Sequence, residues 1–367
     1  MYKVLTLVGT RPEIIKLSLT IKKLDNFFNH YLVHTGQNYD YELNQIFFKD
    51  LEIRKPDFFL NSKSKNSIST ISKIFVKFND ICEKIKPDAV LILGDTNSAL
   101  AAIVANKKKI PIFHIEAGNR SFNRDTPEEL NRKLIDHSSD INLTYTEIAK
   151  DYLMNEGIPG DKIIKVGSPM LEILKYFESK INKSQILKKL MLVENQYILV
   201  SMHREENVDN KDNLLKFLKI LEKLAKLFKK KIIFSTHSRT AKNIVKFKIK
   251  KSPSIHFSKP LSFTDYSKLE KNSFVTLSDS GTIVEESSIL NFKALNLRDY
   301  TERLEGMYEG SVMMVGVNEK KIITGIKILQ KDNVKLDIVK DYDVKNFSSK
   351  ILRLIISYLN AVEKKWR

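Results

Sequence analysis

With 367 residues, 42% of them hydrophobic, the chain is longer than one core usually serves and has apolar content enough for two. Its formal charge of +18 raises a nucleic-acid or anionic-membrane reading, yet the lysines are dispersed among Ile, Leu and Phe in amphipathic stretches such as 216–230 and 242–251, which argues against both. The single cysteine, Cys82, excludes an internal disulfide and a cysteine-based zinc site, and no apolar run is long enough to span a bilayer.

In chain order, short β-branched runs at 3–8, 31–34, 89–93, 112–114, 142–145 and 163–166 alternate with longer amphipathic segments, the pattern of βα units around a parallel sheet. The apolar residues after Met1-Tyr2-Lys3 are too few for the core of a secretory leader and read as the first strand, so a cytoplasmic protein is expected. Gly167-Ser168-Pro169 and the polar stretch up to Lys183 form the expected hinge. A second series of strands follows at 197–202, 231–236, 255–257, 274–277, 294–297 and 312–315. The fold class predicted is α/β, two Rossmann-like doubly wound domains facing a cleft, with boundaries at 1–168 and 169–345. The amphipathic segment at 346–367 is expected to pack back on the first domain as a helix.

In open α/β sheets, ligands bind beyond the carboxyl ends of the strands. Those ends carry Gly9-Thr10-Arg11, Gly94-Asp95-Thr96, Glu116-Ala117-Gly118, His203-Arg204-Glu205, His237 and Asp279-Ser280-Gly281, a density of charge, His and Gly that packing alone does not require. No two of the 12 glycines are spaced G-x-G and no Gly-Lys-Ser/Thr occurs, which excludes the dinucleotide fingerprint and the P-loop. No cofactor or metal is expected. Ser280-Gly281-Thr282, opening a helix with Glu285 and Glu286, reads either as a plain Ser N-cap or as a phosphate site at a helix N-terminus. Cations at Arg11, Lys16, His203, Arg204 and His237 favour a diphosphate.

Three carboxylates, Asp95, Glu116 and Glu128, fall at strand ends or helix starts of the first domain. Thr126-Pro127-Glu128-Glu129 reads as a helix start with Glu129 closing a capping box on Thr126, which leaves Glu128 for chemistry. Taken alone, Asp95 reads as the N-cap of the helix through 99–105; Glu116 has no such structural role. Carboxylates on one side and a cationic diphosphate site on the other suit cleavage of a glycosyl-phosphate bond coupled to proton transfer at carbon 2, with two acid/base groups on opposite faces.

In their order and types these residues resemble the non-hydrolysing UDP-N-acetylglucosamine 2-epimerases over nearly the full chain. The motifs are Gly9-Thr10-Arg11-Pro12-Glu13, Gly94-Asp95-Thr96, His114-Ile115-Glu116-Ala117-Gly118, Pro127-Glu128-Glu129 with Asn131-Arg132, His203-Arg204, Asp279-Ser280-Gly281 with Glu285-Glu286, and Glu302-Arg303. The resemblance implies a glycosyltransferase-B type architecture, a UDP-N-acetylamino sugar as partner and a homodimer. It implies reaction by elimination of UDP to a 2-acetamidoglycal and re-addition. By position Asp95, Glu116 and Glu128, together with His203, match the catalytic groups. Arg11, Lys16, His203, Arg204, His237, Ser280, Gly281 and Arg303 fall to the diphosphate and sugar, Glu286 to the ribose and Tyr266 to the uracil.

The chain departs from the family at Gln37-Asn38-Tyr39, where several members have a Gln-His-Arg that binds an allosteric UDP-sugar, and at Thr282 and Leu304. Stretches 34–40, 116–120 and 278–282 are closer to the branch that makes UDP-N-acetyl-L-fucosamine from UDP-2-acetamido-2,6-dideoxy-L-talose for capsules and O-antigens. A UDP-sugar glycosyltransferase and a non-catalytic UDP-sugar sensor are the competing readings. The D-x-D at Asp341-Tyr342-Asp343 lies away from the strand ends, and a pure binder has no use for three carboxylates.

Overall fold

The structure, a computed structural model, describes residues 1–37, 41–123, 126–332, 334 and 336–361. Asn38 and Tyr39 of the allosteric departure, and the end of the C-terminal segment from 362, lie outside the described residues. The chain forms two compact units, Met1–Lys175 with Asp341–Arg367, and Tyr176–Lys340.

The first unit carries strands β1 (Lys3–Val8), β2 (Asn29–His34), β3 (Phe58–Phe59), β4 (Ala89–Leu93), β5 (Ile112–Ala117), β6 (Ile141–Thr144) and β7 (Ile163–Lys165), paired in parallel in the order β3-β2-β1-β4-β5-β6-β7. Its connections include helices α1 (Arg11–Phe27), α2 (Tyr41–Asp50), α3 (Ser67–Ile85), α4 (Ala102–Lys107), α5 (Pro127–Ser138), α6 (Glu147–Asn155) and α7 (Met170–Tyr176). Helices on both faces bury both sides of the strands, so β4 reads as an unbroken apolar run, Ala-Val-Leu-Ile-Leu. On α3, Ile74, Phe78, Ile81 and Ile85 recur at helical spacing and pack on Leu5, Leu7, Val90 and Ile92. Asn66 starts that helix by accepting the Ser69 N–H at 2.8 Å.

The second unit repeats the plan with β8 (Tyr197–Ser201), β9 (Lys231–Ser235), β10 (Ile255–Ser258), β11 (Val275–Ser278), β12 (Ala294–Asn296) and β13 (Met313–Met314), parallel in the order β10-β9-β8-β11-β12-β13. Around them run α8 (Glu178–Lys183), α9 (Ile186–Lys189), α10 (Glu205–Val208), α11 (Lys211–Phe228), α12 (Ser238–Lys246), α13 (Phe263–Lys271), α14 (Ile283–Leu290), α15 (Glu305–Tyr308) and α16 (Glu319–Lys331). The long α11 buries Leu214, Phe217, Leu218, Leu221 and Leu224 on Ile198, Val200 and Phe234, and Asn210 caps it through the Asp212 and Asn213 N–H groups. Each sheet reverses its strand order once, between β1 and β4 and between β8 and β11, and these switch points are where a doubly wound fold opens a crevice.

The final helix, α17 (Phe347–Ala361), belongs to the first unit. Phe347, Ile351, Ile355 and Leu359, four residues apart, are buried on one stripe of it, and it packs against α1. Ser348 donates to the Glu172 carboxylate through its N–H at 2.8 Å and its hydroxyl at 2.6 Å, and Lys350 reaches the Val166 carbonyl at 2.9 Å. The division therefore falls after Lys175 and Lys340 instead of at 168 and 345, because α7 buries Met170, Leu171, Ile173 and Leu174 within the first unit. The two-residue β3, held beside His34, was not among the expected strands, and β5 runs three residues further than expected.

Candidate active site

At the first switch point, β1 turns into α1 at Gly9 and Thr10, and the turn is held by Glu13. Its carboxylate accepts from the Gly9 N–H, from the Thr10 N–H at 3.1 Å, and across the switch point from the Thr96 hydroxyl at 2.6 Å. Burial pushes the Glu13 carboxyl up to about 7 against the pull of these donors. Arg11, at the mouth of the turn, lies with its guanidinium carbon 5.6 Å from the Phe47 ring centre.

One turn along α1, buried Lys16 reaches the Glu116 carboxylate at 2.7 Å and stands 5.3 Å from the centre of the Tyr145 ring. Glu116 owes its position to the backbone. The register of β5 on β6 slips between Ile115 and Ala117, and Glu116 sits in the bulge at φ 66°, a left-handed conformation that a residue with a Cβ adopts at a cost of about 1–3 kcal/mol. Gly118 follows at φ 81°, where a Cβ would run into the Ala149 carbonyl, so the glycine of this motif is sterically required.

Asp95 follows β4, the neighbour of β5, and is not a helix cap. The next helical turn begins at Ala99 behind Ser98, and the Asp95 carboxylate instead takes the Arg132 Nε–H at 2.8 Å. Asn131 holds the Asp95 carbonyl at 2.9 Å. Glu129 does not close a capping box either. Thr126 makes no side-chain cap bond, and the Glu129 carboxylate is taken up by the Ser121 N–H and hydroxyl, the Phe122 N–H and Arg132 Nη1, at 2.7–3.2 Å. Against the burial of Glu129, these donors and the Arg132 charge leave its carboxyl below the usual range. Glu128, half-buried beside it, stands in the first turn of α5. Beneath β5 a buried network runs from His114 Nδ1, 2.9 Å from Asp136, through Asp136 to Arg120, which forks onto Glu156 at 2.6 and 2.8 Å.

The second switch point is built on one buried carboxylate. Asp279, at the end of β11, accepts the backbone N–H groups of His203 and Arg204 after β8 at 2.9–3.1 Å and the Asn207 amide at 3.1 Å. It also lies 3.0 Å from His203 Nδ1. Burial alone would raise its pKa; the His203 charge and hydrogen bond, with the other donors, hold it down at about 2. Asp279 thereby engages His203 through Nδ1 and fixes the orientation of the ring. The His237 ring is centred 5.3 Å from that of His203, but its Nδ1 accepts the Arg239 N–H at 3.3 Å. It caps α12 through that bond.

Ser280, Gly281 and Thr282 lead into α14, with the Ser280 and Thr282 hydroxyls 3.0 Å apart and Thr282 donating to Glu286 at 3.0 Å. A Cβ on Gly281 would press on Glu302 Oε1 at 3.1 Å and Arg303 Nε at 3.4 Å. Around that glycine, Arg303 pairs with Glu285 at 2.8 Å, and Glu302 lies 2.7 Å from buried Arg298 and 3.8 Å from Arg204. The Tyr266 hydroxyl bonds Ser201, and burial raises its pKa well above the usual value; buried Glu270, one helical turn on, is raised in the same way and shares a hydrogen bond with Glu286.

In the first unit Arg11 and Lys16 on α1 and Asp95 and Glu116 after and within adjoining strands lie at the switch point, with Glu128 one helical turn before Arg132, which holds Asp95; in the second, His203, Arg204, Ser280 and Gly281 follow β8 and β11, His237 stands beside His203, Tyr266 bonds Ser201, Glu286 takes the Thr282 hydroxyl and Arg303 lines Gly281. Glu13, Asp136, Arg120, Asp279, Glu270 and Arg298 were missed as site residues, though Glu13 and Asp279 stood inside quoted motifs. The Asp341 carboxylate of the D-x-D is occupied by the Glu147 N–H and Lys165 Nζ. Among the described residues no group of three or more His, Cys, Asp and Glu is placed to hold a metal, and no helix is long and apolar enough to cross a membrane.

The profile of the UDP-N-acetylglucosamine 2-epimerases matches residues 22–356. The chain belongs to the UDP-N-acetylglucosamine 2-epimerase family. It is an isomerase, a non-hydrolysing UDP-sugar 2-epimerase. The structure of the UDP-N-acetylglucosamine 2-epimerase from Rickettsia bellii is 46% identical with a TM-score of 0.92, covering 100% of this chain and 99% of that one. The Methanocaldococcus jannaschii epimerase, crystallised with UDP-GlcNAc and UDP, is 35% identical at a TM-score of 0.91, covering 97% of this chain and 99% of that one. A UDP-2,3-diacetamido-2,3-dideoxy-D-glucuronate 2-epimerase of Pseudomonas aeruginosa is 33% identical, over 88% of this chain and 90% of that protein. One family on one fold thus serves more than one amino sugar.

Proposed function

We propose that this epimerase binds a UDP-2-acetamido sugar and inverts its carbon 2 by eliminating UDP and adding it back. One carboxylate removes the proton at carbon 2 while the C1–O bond breaks and its electron pair leaves with the diphosphate, giving the glycal. A carboxyl on the other face then protonates carbon 2, and UDP returns to carbon 1, so no atom or electron is gained or lost. The observation that carries this is Glu116, a carboxylate held in a strained bulge at the edge of β5 and fixed by buried Lys16, with Asp95 at the end of the adjoining strand.

In the first unit Asp95, Glu116 and Glu128 are assigned the proton transfers, and Arg11 and Lys16 contacts to the departing diphosphate. In the second, His203, Arg204, Ser280, Gly281 and Arg303 are assigned to the diphosphate, Glu286 to the ribose and Tyr266 to the uracil. The test is a pair of variants, Glu116→Gln and Asp95→Asn. Each is expected to lower turnover by ~10²–10⁴-fold, the usual worth of an acid/base group, with calorimetric affinity for UDP kept within about tenfold. Lost UDP affinity with preserved turnover per bound substrate would take these carboxylates out of the chemistry.

For the sugar we assign UDP-2-acetamido-2,6-dideoxy-L-talose, converted to UDP-N-acetyl-L-fucosamine for surface polysaccharide, on the loop sequences at 116–120 and 278–282. A second assignment, UDP-N-acetylglucosamine to UDP-N-acetylmannosamine, is favoured by the names of the R. bellii and M. jannaschii enzymes. Assays with both sugars separate the two. A homodimer acting in the cytoplasm accompanies this function, and sedimentation at assay concentration tests the dimer.

A further inference from the structure

Glu13 is a buried carboxylate that the chemistry above does not use. Both of its oxygens are engaged: Oε2 accepts from the Gly9 and Thr10 N–H groups of the β1 turn, Oε1 from the Thr96 hydroxyl of the β4 turn. The first turn presents Arg11 and the second presents Asp95. Thr96 in turn accepts the Ser98 N–H at 3.2 Å, and the Ser98 and Thr35 hydroxyls meet at 2.7 Å, so the clasp spans the ends of β1, β2 and β4. The bonds to Gly9 and Thr10 are those of a capping box that starts α1, whereas the bond to Thr96 reaches the end of a second strand, which capping does not require. An apolar side chain of this size would fill the space but leave three donors unmet.

We infer that Glu13 is a positioning residue for the epimerisation, its carboxylate holding the Arg11 turn and the Asp95 turn in one register across the switch point. The inference rests on the assignment of Arg11 and Asp95 above. Every donor that faces the carboxyl is uncharged. The charged groups on the adjoining elements are Arg11 and Lys16 on α1, Asp95 after β4 and Glu116 on β5, and among the described residues none of them bonds it. Burial then leaves Glu13 titrating at about 7. A proton on Oε1 competes with the Thr96 hydroxyl proton on the line between the two oxygens and weakens or reverses that bond. The clasp therefore changes its bonding within the neutral range.

The experiment compares wild type, Glu13→Gln, Thr96→Val and Thr96→Ser in kcat, KM and pH profile, with UDP affinity measured by calorimetry at pH 5.5–8.5. The Gln amide mimics the protonated clasp at every pH. Expected are a loss in kcat of the order of a hundredfold in Glu13→Gln, as for a reacting group displaced by about 1 Å, with KM within about threefold and the acid limb near pH 7 abolished. Thr96→Val is expected to fall in kcat in the same way, and Thr96→Ser, which restores the hydroxyl, to recover it. Glu13→Gln with kcat and acid limb unchanged, or Thr96→Ser as impaired as Thr96→Val, overturns the inference. Should wild type turn over neither UDP-sugar, the assignment of function fails and UDP affinity decides this point alone. A wild-type affinity that changes more across pH 7 than that of Glu13→Gln supports the clasp; coincident curves overturn it.

Discussion

At the scale of single residues, the two switch points are organised by carboxylates that never need to touch substrate. Asp279 gathers four donors and orients His203, while Glu13 joins two turns; each is buried, and each holds a neighbour in place. Replacing His203 by Ala is expected to weaken UDP binding chiefly, by about 1.5–3 kcal/mol if Nε2 meets the diphosphate through a charge-assisted bond, measured by calorimetry. Unchanged UDP affinity would remove His203 from the phosphate site. Asp279→Asn leaves the backbone acceptor but loses the charge. It is expected to cost about 1–3 kcal/mol in urea unfolding, as when a buried hydrogen-bonding group loses a partner, and to weaken UDP as His203 loses its orientation. A cost under about 1 kcal/mol would show that His203 and Arg204 are held by other means. These roles were only partly legible in the sequence. Thr10-x-x-Glu13 and Thr126-x-x-Glu129 are the same four-residue pattern, but only Glu13 turns back to its own N-cap. Glu129 is drawn away by Ser121, Phe122 and Arg132, donors that only the tertiary fold delivers.

At the scale of elements, the parallel strands were legible because a strand buried on both faces must be an apolar run, and β1, β4 and β8 are such runs. Two features were not. The two-residue β3 is too short for any periodicity to show, and exists because the main chain of 57–60 bonds that of β2, through the Asp57 and Leu60 N–H groups to Leu32 and His34. The bulge at Glu116 has no local signature, since Glu is not a residue chosen for φ near 66°; it is held by register on β6 and by Lys16. The return of α17 to the first unit was legible in its apolar stripe and makes a prediction of its own. Ile351→Ala, at a fully buried position, is expected to destabilise the first unit by about 2–5 kcal/mol in denaturant unfolding. A loss below about 1 kcal/mol would mean that α17 is not part of that unit's core.

At the scale of the whole molecule, the two buried carboxyls titrate with opposite effects on stability. Asp279 is depressed from 3.8 to about 2, so its contribution is complete above pH 3.8 and disappears as pH falls towards 2. Glu13 is raised from 4.5 to about 7, so the folded chain binds the extra proton and the stability gained is lost as pH rises from about 4.5 to 7. Glu13→Gln is therefore expected to gain thermal stability relative to wild type between pH 5 and pH 8 in differential scanning calorimetry. A constant difference between the two proteins across that range would place the Glu13 titration elsewhere. The central claim is the reaction, and proton NMR in deuterium oxide tests it most directly, with UDP-2-acetamido-2,6-dideoxy-L-talose and UDP-N-acetylglucosamine supplied separately. Deuterium at carbon 2, a new UDP-sugar and no free amino sugar are predicted for at least one of them. Neither exchange nor conversion with either sugar would contradict an epimerase and leave the carboxylates of the first unit without the chemistry assigned to them.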